Sequence, residues 1–222
     1  MKLEIISMRI GILGSGDVGQ KLGDGFIEIG HTVKIGTRDP NKTKVILWVN
    51  KHDNKASSGT FPEVSSFGEL LVIATSWDGT LDAIRMCDPK DLVDKIVIDV
   101  TNPYDFSDGV LPKLAVGHTD SGGEIIQRLL PETKVVKAFN IVGNPHMVHP
   151  KFQDGPPTMF ICGNNDEAKK LVTNDILTRF GWETIDIGGI EGSRLLEPLA
   201  MLWITYYFKT SNGNHAFRLL RK

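Results

Sequence analysis

Arg9-Ile-Gly-Ile-Leu-Gly14-Ser-Gly16-Asp-Val-Gly19 is a β-branched apolar run that breaks into G-x-G-x-x-G and continues as the helix-like segment Val18–Ile29. In such a strand–turn–helix unit the first glycine permits the tight turn and the second lets the backbone approach a pyrophosphate. The third lets helix and strand pack closely. Free amides and the helix dipole at that turn favour an anionic group. The stretch therefore reads as a dinucleotide-binding turn, with Gly14, Ser15, Gly16, Asp17, Val18 and Gly19 facing the cofactor. A carboxylate beside a pyrophosphate repels it, so Asp17 is expected to turn away and help cap the helix; the other reading places it on the substrate side.

Outward from that turn, short apolar runs alternate with helical patterns, which marks a mostly parallel sheet covered on both faces. The strands fall at Arg9–Leu13, Thr32–Ile35, Leu70–Thr75, Ile96–Val100, Lys134–Ala138, Thr158–Cys162 and Glu183–Ile187, with a weaker one around Ala56–Thr60. Helices are expected at Val18–Ile29, Asn41–Asn50, Asp78–Met86, Gly123–Leu130 and Asp166–Arg179. Gly30 reads as a left-handed cap, Pro131 as a stop, and Asn165 or Asp166 as an N-cap. Asp105–Gly122, rich in Gly, Asp and Ser, reads as a long loop. The fold class is thus α/β, a Rossmann-like doubly wound sheet of about eight strands with a small C-terminal helical segment. The expected division is 1–188 for the nucleotide-binding domain and 189–222 for the helical segment.

The second strand decides between NAD and NADP. An NAD site ends that strand with an acidic residue that accepts from the ribose hydroxyls. Here Thr32-Val-Lys-Ile-Gly36 runs into Thr37-Arg38. The Arg38 guanidinium can fork onto a 2′-phosphate, Thr37 can add a hydroxyl bond, and Lys42 on the following helix can add a second cation. The expected cofactor is NADP(H).

Composition narrows the remaining classes. The chain has 222 residues, 41% hydrophobic and 23% charged, which suits one domain with a sizeable core. A formal net charge of −2 argues against a general nucleic-acid binder. Arg218, Arg221 and Lys222 are read as charging a helix C-terminus. Only Cys87 and Cys162 are present, with no metal-ligand cluster and no disulfide framework, so no metal is expected and a reducing cytoplasm fits. Cys162, in Met159-Phe-Ile-Cys, reads as a small core hydrophobe. Met1 to Ser7 carries Lys2 and Glu4 and does not read as a signal peptide. The longest apolar stretch, Leu195–Phe208, contains Glu197 and Pro198 and falls short of the ~20 residues that span a bilayer, so no membrane span is expected.

Gly11-Ile-Leu-Gly-Ser-Gly-Asp-Val-Gly19 with Gly36-Thr-Arg38 resembles the start of the NADP oxidoreductases that work with the deazaflavin coenzyme F420. The cytoplasmic reductase domains of the STEAP metalloreductases share the pattern. Ile98-Asp-Val-Thr-Asn-Pro103, Glu124-Ile-Ile-Gln-Arg-Leu-Leu-Pro131, Val135-Val-Lys-Ala-Phe-Asn140 and Arg194-Leu-Leu-Glu-Pro-Leu-Ala-Met-Leu-Trp203 are further likenesses. The resemblance implies hydride transfer between NADP(H) and F420 or a related flavin or quinone, with nicotinamide across the carboxyl ends of the strands. It places Thr75, Ser76 and Trp77 beside the dinucleotide, and Asn102, Ala138, Phe139 and Asn140 near the nicotinamide. Trp77 is read equally as packing or stacking, Asn140 as a functional amide rather than a turn former, and Lys137 as a structural or phosphate-facing cation rather than a base. A homodimer is also implied.

No Ser-His-Asp, metal-ligand or paired-carboxylate arrangement occurs, and little chain remains after Ile187 to enclose a small substrate. A large flat redox co-substrate asks for less, since stacking and orientation suffice. No side-chain acid or base is then required; Asn140 and His146 are the candidates if one is. His146 and His149 are read as bordering the cleft, and His31 and His215 as surface residues. Leu195–Phe208 is apolar nearly all round as a helix, so burial is expected against its own sheet or a second subunit. Two other readings stand beside the oxidoreductase: a non-catalytic NADPH sensor, and an NADPH-dependent imine or carbonyl reductase.

Overall fold

The computed structural model describes residues 7–109 and 111–222; the expectation for the chain start, Met1 to Ser7, falls almost wholly outside them. The first half alternates β1 (Arg9–Leu13), α1 (Asp17–Glu28), β2 (Thr32–Gly36), α2 (Thr43–Lys51), β3 (Ala56–Gly59), α3 (Phe61–Phe67), β4 (Leu70–Ile73), α4 (Trp77–Arg85) and β5 (Ile96–Asp99). A small hairpin of β6 (Tyr104–Asp105) and β7 (Lys113–Leu114) follows, within the segment expected to be a plain loop. Then come α5 (Gly122–Leu129), β8 (Lys134–Lys137), β9 (Thr158–Gly163), α6 (Asp166–Leu171), β10 (Glu183–Asp186) and α7 (Ser193–Thr210).

Eight strands form one sheet in the order β10-β9-β8-β5-β4-β1-β2-β3. All neighbours are parallel except β8 and β9, so β9 and β10 run against the other six. The central strand β4, Leu-Leu-Val-Ile, is buried at all four positions, because helices cover both faces of a doubly wound sheet. One core gathers Ile10, Ile12, Phe26, Phe139 and Phe180 on one side; the other gathers Leu13, Leu71, Ile84, Ile126 and Val135.

Local chemistry sets the ends of the elements. Gly30 takes φ +102° after α1. Ser121 Oγ accepts from the Glu124 amide to cap α5, and Asn165 Oδ1 accepts from the Ala168 amide at 2.8 Å to cap α6. The α3 helix was not expected from the sequence. A capping box opens it, Thr60 with Glu63, in which the Thr60 amide donates to Glu63 Oε2 at 2.7 Å. Beyond α6 the expected helix continues only as a π-type turn, Val172–Leu177.

Two expectations are corrected at the C-terminus and in the turns. Arg218, Arg221 and Lys222 charge no helix end: α7 stops at Ser211 with φ +53°, and the tail beyond has no regular secondary structure. It is fastened where the Thr158 amide donates to Phe217 O at 2.9 Å and the Leu219 amide to Thr158 Oγ1 at 3.0 Å. In α7, Leu196 and Ala200 pack inward, while Leu195 and Leu202 stay 68% and 59% exposed on the other face. It lies on one side of the fold, so only one face meets the core. His31 is buried, and its Nδ1 accepts from the Met8 amide at 3.1 Å. His215 is half-buried, its ring stacked on Trp203 with centroids 4.5 Å apart.

Among the described residues no helix is long and apolar enough to cross a membrane.

Candidate functional site

The turn from β1 into α1 has the shape its glycines require. Gly14 sits at φ +129°, and a Cβ there would collide with the Ala74 carbonyl. A Cβ on Gly19 would strike the Gly14 carbonyl, so this residue sets the closeness of helix to strand. Gly16 differs from both: its backbone is extended at φ −75°, and a Cβ would meet nothing within 4 Å. It faces open space. Gly16 is also the N-cap of α1 and no side chain caps this end, so the first-turn amides remain available to an anion. Asp17 does not cap; it forms an exposed ion pair with Lys44 on α2.

Two adjoining cavities open at the carboxyl ends of the strands and meet along Gly16, Ala74, Thr75, Ser76 and Asp78. The first, about 430 Å³, runs over Gly14 and Ser15 to Thr37, Arg38 and Lys42, with Phe61 and Met86 as apolar walls. Asp39 does not line it; its carboxylate accepts from the Asn41 amide at 3.0 Å and folds into its own turn. Thr37 is buried and its hydroxyl accepts from the Asp39 amide at 3.2 Å, while Arg38 is exposed to the cavity mouth. Lys42 is the residue before α2 rather than within it. The tip of β2 thus offers two cations and no carboxylate. The arrangement fits a dinucleotide with a 2′-phosphate: room at Gly16 for a diphosphate, positive charge at Arg38 and Lys42 for the ribose phosphate.

The second cavity, about 490 Å³, is bounded by Asp17, Val18, Trp77, Val100, Thr101, Asn102, Tyr104, Phe106 and Asn144. Asp17 therefore also lies on the expected substrate side. Trp77 lines this cavity and also packs 3.1 Å from where a Cβ on Gly122 would sit. Tyr104, Phe106 and Asn144 were missed from the sequence. The signal for the first two was the aromatic pair in Tyr104-Asp-Phe106, directly after Asn102-Pro103.

Ala138, Phe139 and Asn140 line neither cavity; they are buried behind Asn102. Asn140 Nδ2 donates to Asn102 Oδ1 at 3.0 Å and to Leu196 O at 3.1 Å, and Asn102 Nδ2 donates back to Asn140 O at 2.8 Å. Among the described residues Asn140 Oδ1 has no hydrogen-bond partner. Phe139 holds φ +63°, a strained conformation for a bulky residue, kept by its ring packing 5.9 Å from Phe180. His146 and His149 do not border either cavity; His146 Nε2 lies 3.1 Å from Asn214 Oδ1 and His149 Nε2 3.0 Å from Glu28.

Beneath the second cavity lies a buried charge cluster. Lys137 Nζ, fully buried, donates to Asp99 Oδ2 at 2.8 Å, Glu197 Oε1 at 2.8 Å and Thr101 O at 2.9 Å. Burial opposes its charged form, but the two carboxylates outweigh that and hold the ammonium above the ordinary lysine value. Glu197 also accepts from the Gly122 and Gly123 amides, each at 3.0 Å, joining α7 to the start of α5. Lys137 is thus enclosed by carboxylates at the strand ends and lines neither cavity. Cys87 and Cys162 are buried, each thiol pushed up by burial to about 11. Among the described residues no His, Cys, Asp or Glu cluster could hold a metal.

A family model described as coenzyme F420-dependent NADP oxidoreductase matches residues 9–103. A solved structure from Arthrobacter sp. FB24, described as a candidate F420-dependent NADP reductase, superposes with a TM-score of 0.91. It is 34% identical, with 97% of this chain and 100% of that chain covered. The rat metalloreductase STEAP3 is 29% identical over 197 residues, 87% of this chain but 37% of its own length. The F420-dependent NADP reductase of Methanocaldococcus jannaschii is 29% identical over 155 residues, 68% of each chain. The chain thus spans little more than a third of the metalloreductase.

Proposed function

Since this chain belongs to the family of F420-dependent NADP reductases, we propose that it is an NADP-dependent oxidoreductase that moves a hydride reversibly between NADP(H) and a deazaflavin or related flavin or quinone. The observation that carries this reading is Gly16, open to space at the junction of two cavities, one with Arg38 and Lys42 at the β2 end and one walled by aromatic rings. The first-turn amides of α1 hold the diphosphate, and Thr37, Arg38 and Lys42 hold the 2′-phosphate. Thr75, Ser76 and Asn102 steady the ribose and nicotinamide ends. When bound, NADPH supplies the hydride and its electron pair. Trp77, Tyr104 and Phe106 present the apolar surface against which a flat acceptor can stack and from which water is excluded. No proton-transferring side chain is required, which sets this reading above the imine or carbonyl reductase. Asn140 acts through Asn102, and His146 has no part in the chemistry.

Residues 1–188 carry the nucleotide and 189–222 complete the second cavity's support from behind. The exposed apolar residues of α7, Leu195, Leu202 and Tyr206, cover themselves against a second copy of the chain. A monomeric mass at micromolar concentration in light scattering would reject that interface. The activity itself is tested by stopped-flow oxidation of NADPH with F420, FMN, FAD and a soluble quinone. The account expects turnover with at least one; turnover with none would reject it.

A further inference from the structure

Lys137, Asp99 and Glu197 are buried completely, and their charges do not cancel. One ammonium faces two carboxylates, and every oxygen of those carboxylates accepts from a donor. Asp99 Oδ1 takes the Thr101 amide at 2.9 Å and its hydroxyl at 2.7 Å, Asp99 Oδ2 and Glu197 Oε1 take Lys137, and Glu197 Oε2 takes the Gly122 amide. The cluster carries one negative charge in excess. The start of α5 offsets about half a charge at most, and the neighbouring Glu124 is matched by Arg194 at 2.5–2.8 Å. The excess sits directly behind the second cavity, because the Thr101 that binds both Asp99 and Lys137 is itself part of the cavity wall.

We propose that this buried anionic cluster makes the second cavity discriminate between the two oxidation states of the nicotinamide, favouring the oxidised, positively charged ring over the neutral reduced one. The inference rests on the proposed binding of NADP(H) in these cavities. When the C4–H bond breaks and the hydride leaves with its electron pair, the ring gains a positive charge. A fixed negative charge across one layer of side chains, in a medium far less polarisable than water, lowers the energy of that state. The cluster thereby pulls the bound couple toward hydride donation without touching the reacting atoms. Tyr104, in the same wall, registers the field: burial raises its hydroxyl pKa first, and the Glu197 charge raises it further. Asp99 and Glu197 are positioning residues in this sense, acting through charge.

The test measures dissociation constants for NADP+ and for NADPH by calorimetry, in the wild type, Glu197→Gln and Asp99→Asn. Each variant removes the excess charge. The ratio Kd(NADP+)/Kd(NADPH) should rise about tenfold in both, the effect of one unit charge about 12 Å away at an effective dielectric constant of about 20. A structural role alone weakens both nucleotides together and leaves the ratio where it was; that result overturns the proposal, as does a fall in the ratio. Failure of both variants to fold assigns the cluster to stability and overturns it too. If the wild type binds neither nucleotide, the proposed function is what fails, and the calorimetry reports that separately.

Discussion

Gly16→Ala should separate folding from binding. The Gly16 backbone is one that alanine adopts without strain, and the added methyl meets no atom within 4 Å. Alanine is the poorer N-cap by about 0.5–1 kcal/mol, whereas a less flexible unfolded chain returns about 0.4–1 kcal/mol. The stability change should thus stay within about 1 kcal/mol, or roughly 3 °C in Tm for a chain of this size. Binding responds differently, because the methyl projects into the space a diphosphate must enter. Losing one or two charge-assisted amide bonds, each worth about 1.5–3 kcal/mol, weakens NADPH by about tenfold to ten-thousandfold. Gly14→Ala supplies the contrast. With φ at +129° and the Ala74 carbonyl in the way, the protein should lose about 3 kcal/mol or more of stability. Calorimetric titration with NADPH and a thermal melt decide both. A Gly16→Ala protein that binds NADPH as tightly as the wild type, or melts as early as Gly14→Ala, would refute the reasoning.

Arg38→Ala should weaken NADPH about 10- to 100-fold while leaving NADH nearly unchanged, since only the former carries the phosphate that the guanidinium grips; equal losses would move the arginine elsewhere. Lys137→Met should lower the urea-unfolding free energy by about 3–5 kcal/mol, because two buried carboxylates lose their counter-charge. An unchanged midpoint would mean that the carboxylates take up protons at little cost. His31 gives the pH dependence. Burial lowers its folded pKa below the ordinary value, so the neutral ring contributes stability above pH of about 6.5, and that contribution is lost as pH falls toward the depressed folded value. Urea unfolding between neutral and mildly acidic pH should show this decline in the wild type and a smaller one in His31→Gln; identical slopes would contradict it.

What the sequence conveyed follows from which interactions are local. The β1 turn, Gly30, Pro131 and the Asn165 cap are signals carried within a few residues, and each appears where the pattern put it. The α3 helix escaped because it is short and holds two serines, although Thr60 and Glu63 had written its capping box. The reversal between β8 and β9 was not legible, since Val136 and Cys162 read as buried strand residues in either direction. The charge cluster joins Asp99, Lys137 and Glu197 from three distant places, and its trace in the sequence was an ionisable residue at the end of each of two apolar strands. Asn102 lines the second cavity, whereas Asn140 lies behind it and donates to Asn102, and strand-end position alone does not tell these two places apart. The apolar α7 signalled burial, and the structure buries one face of it, at Leu196 and Ala200, while Leu195 and Leu202 stay exposed.

A crystal soaked in NADPH addresses the central claim most directly. The account predicts density for the diphosphate against the backbone amides of Ser15 to Val18 and for the 2′-phosphate within hydrogen-bonding distance of Arg38, with the nicotinamide beside Asn102. Density for the nucleotide at another surface, or a diphosphate held away from Gly16, would contradict it.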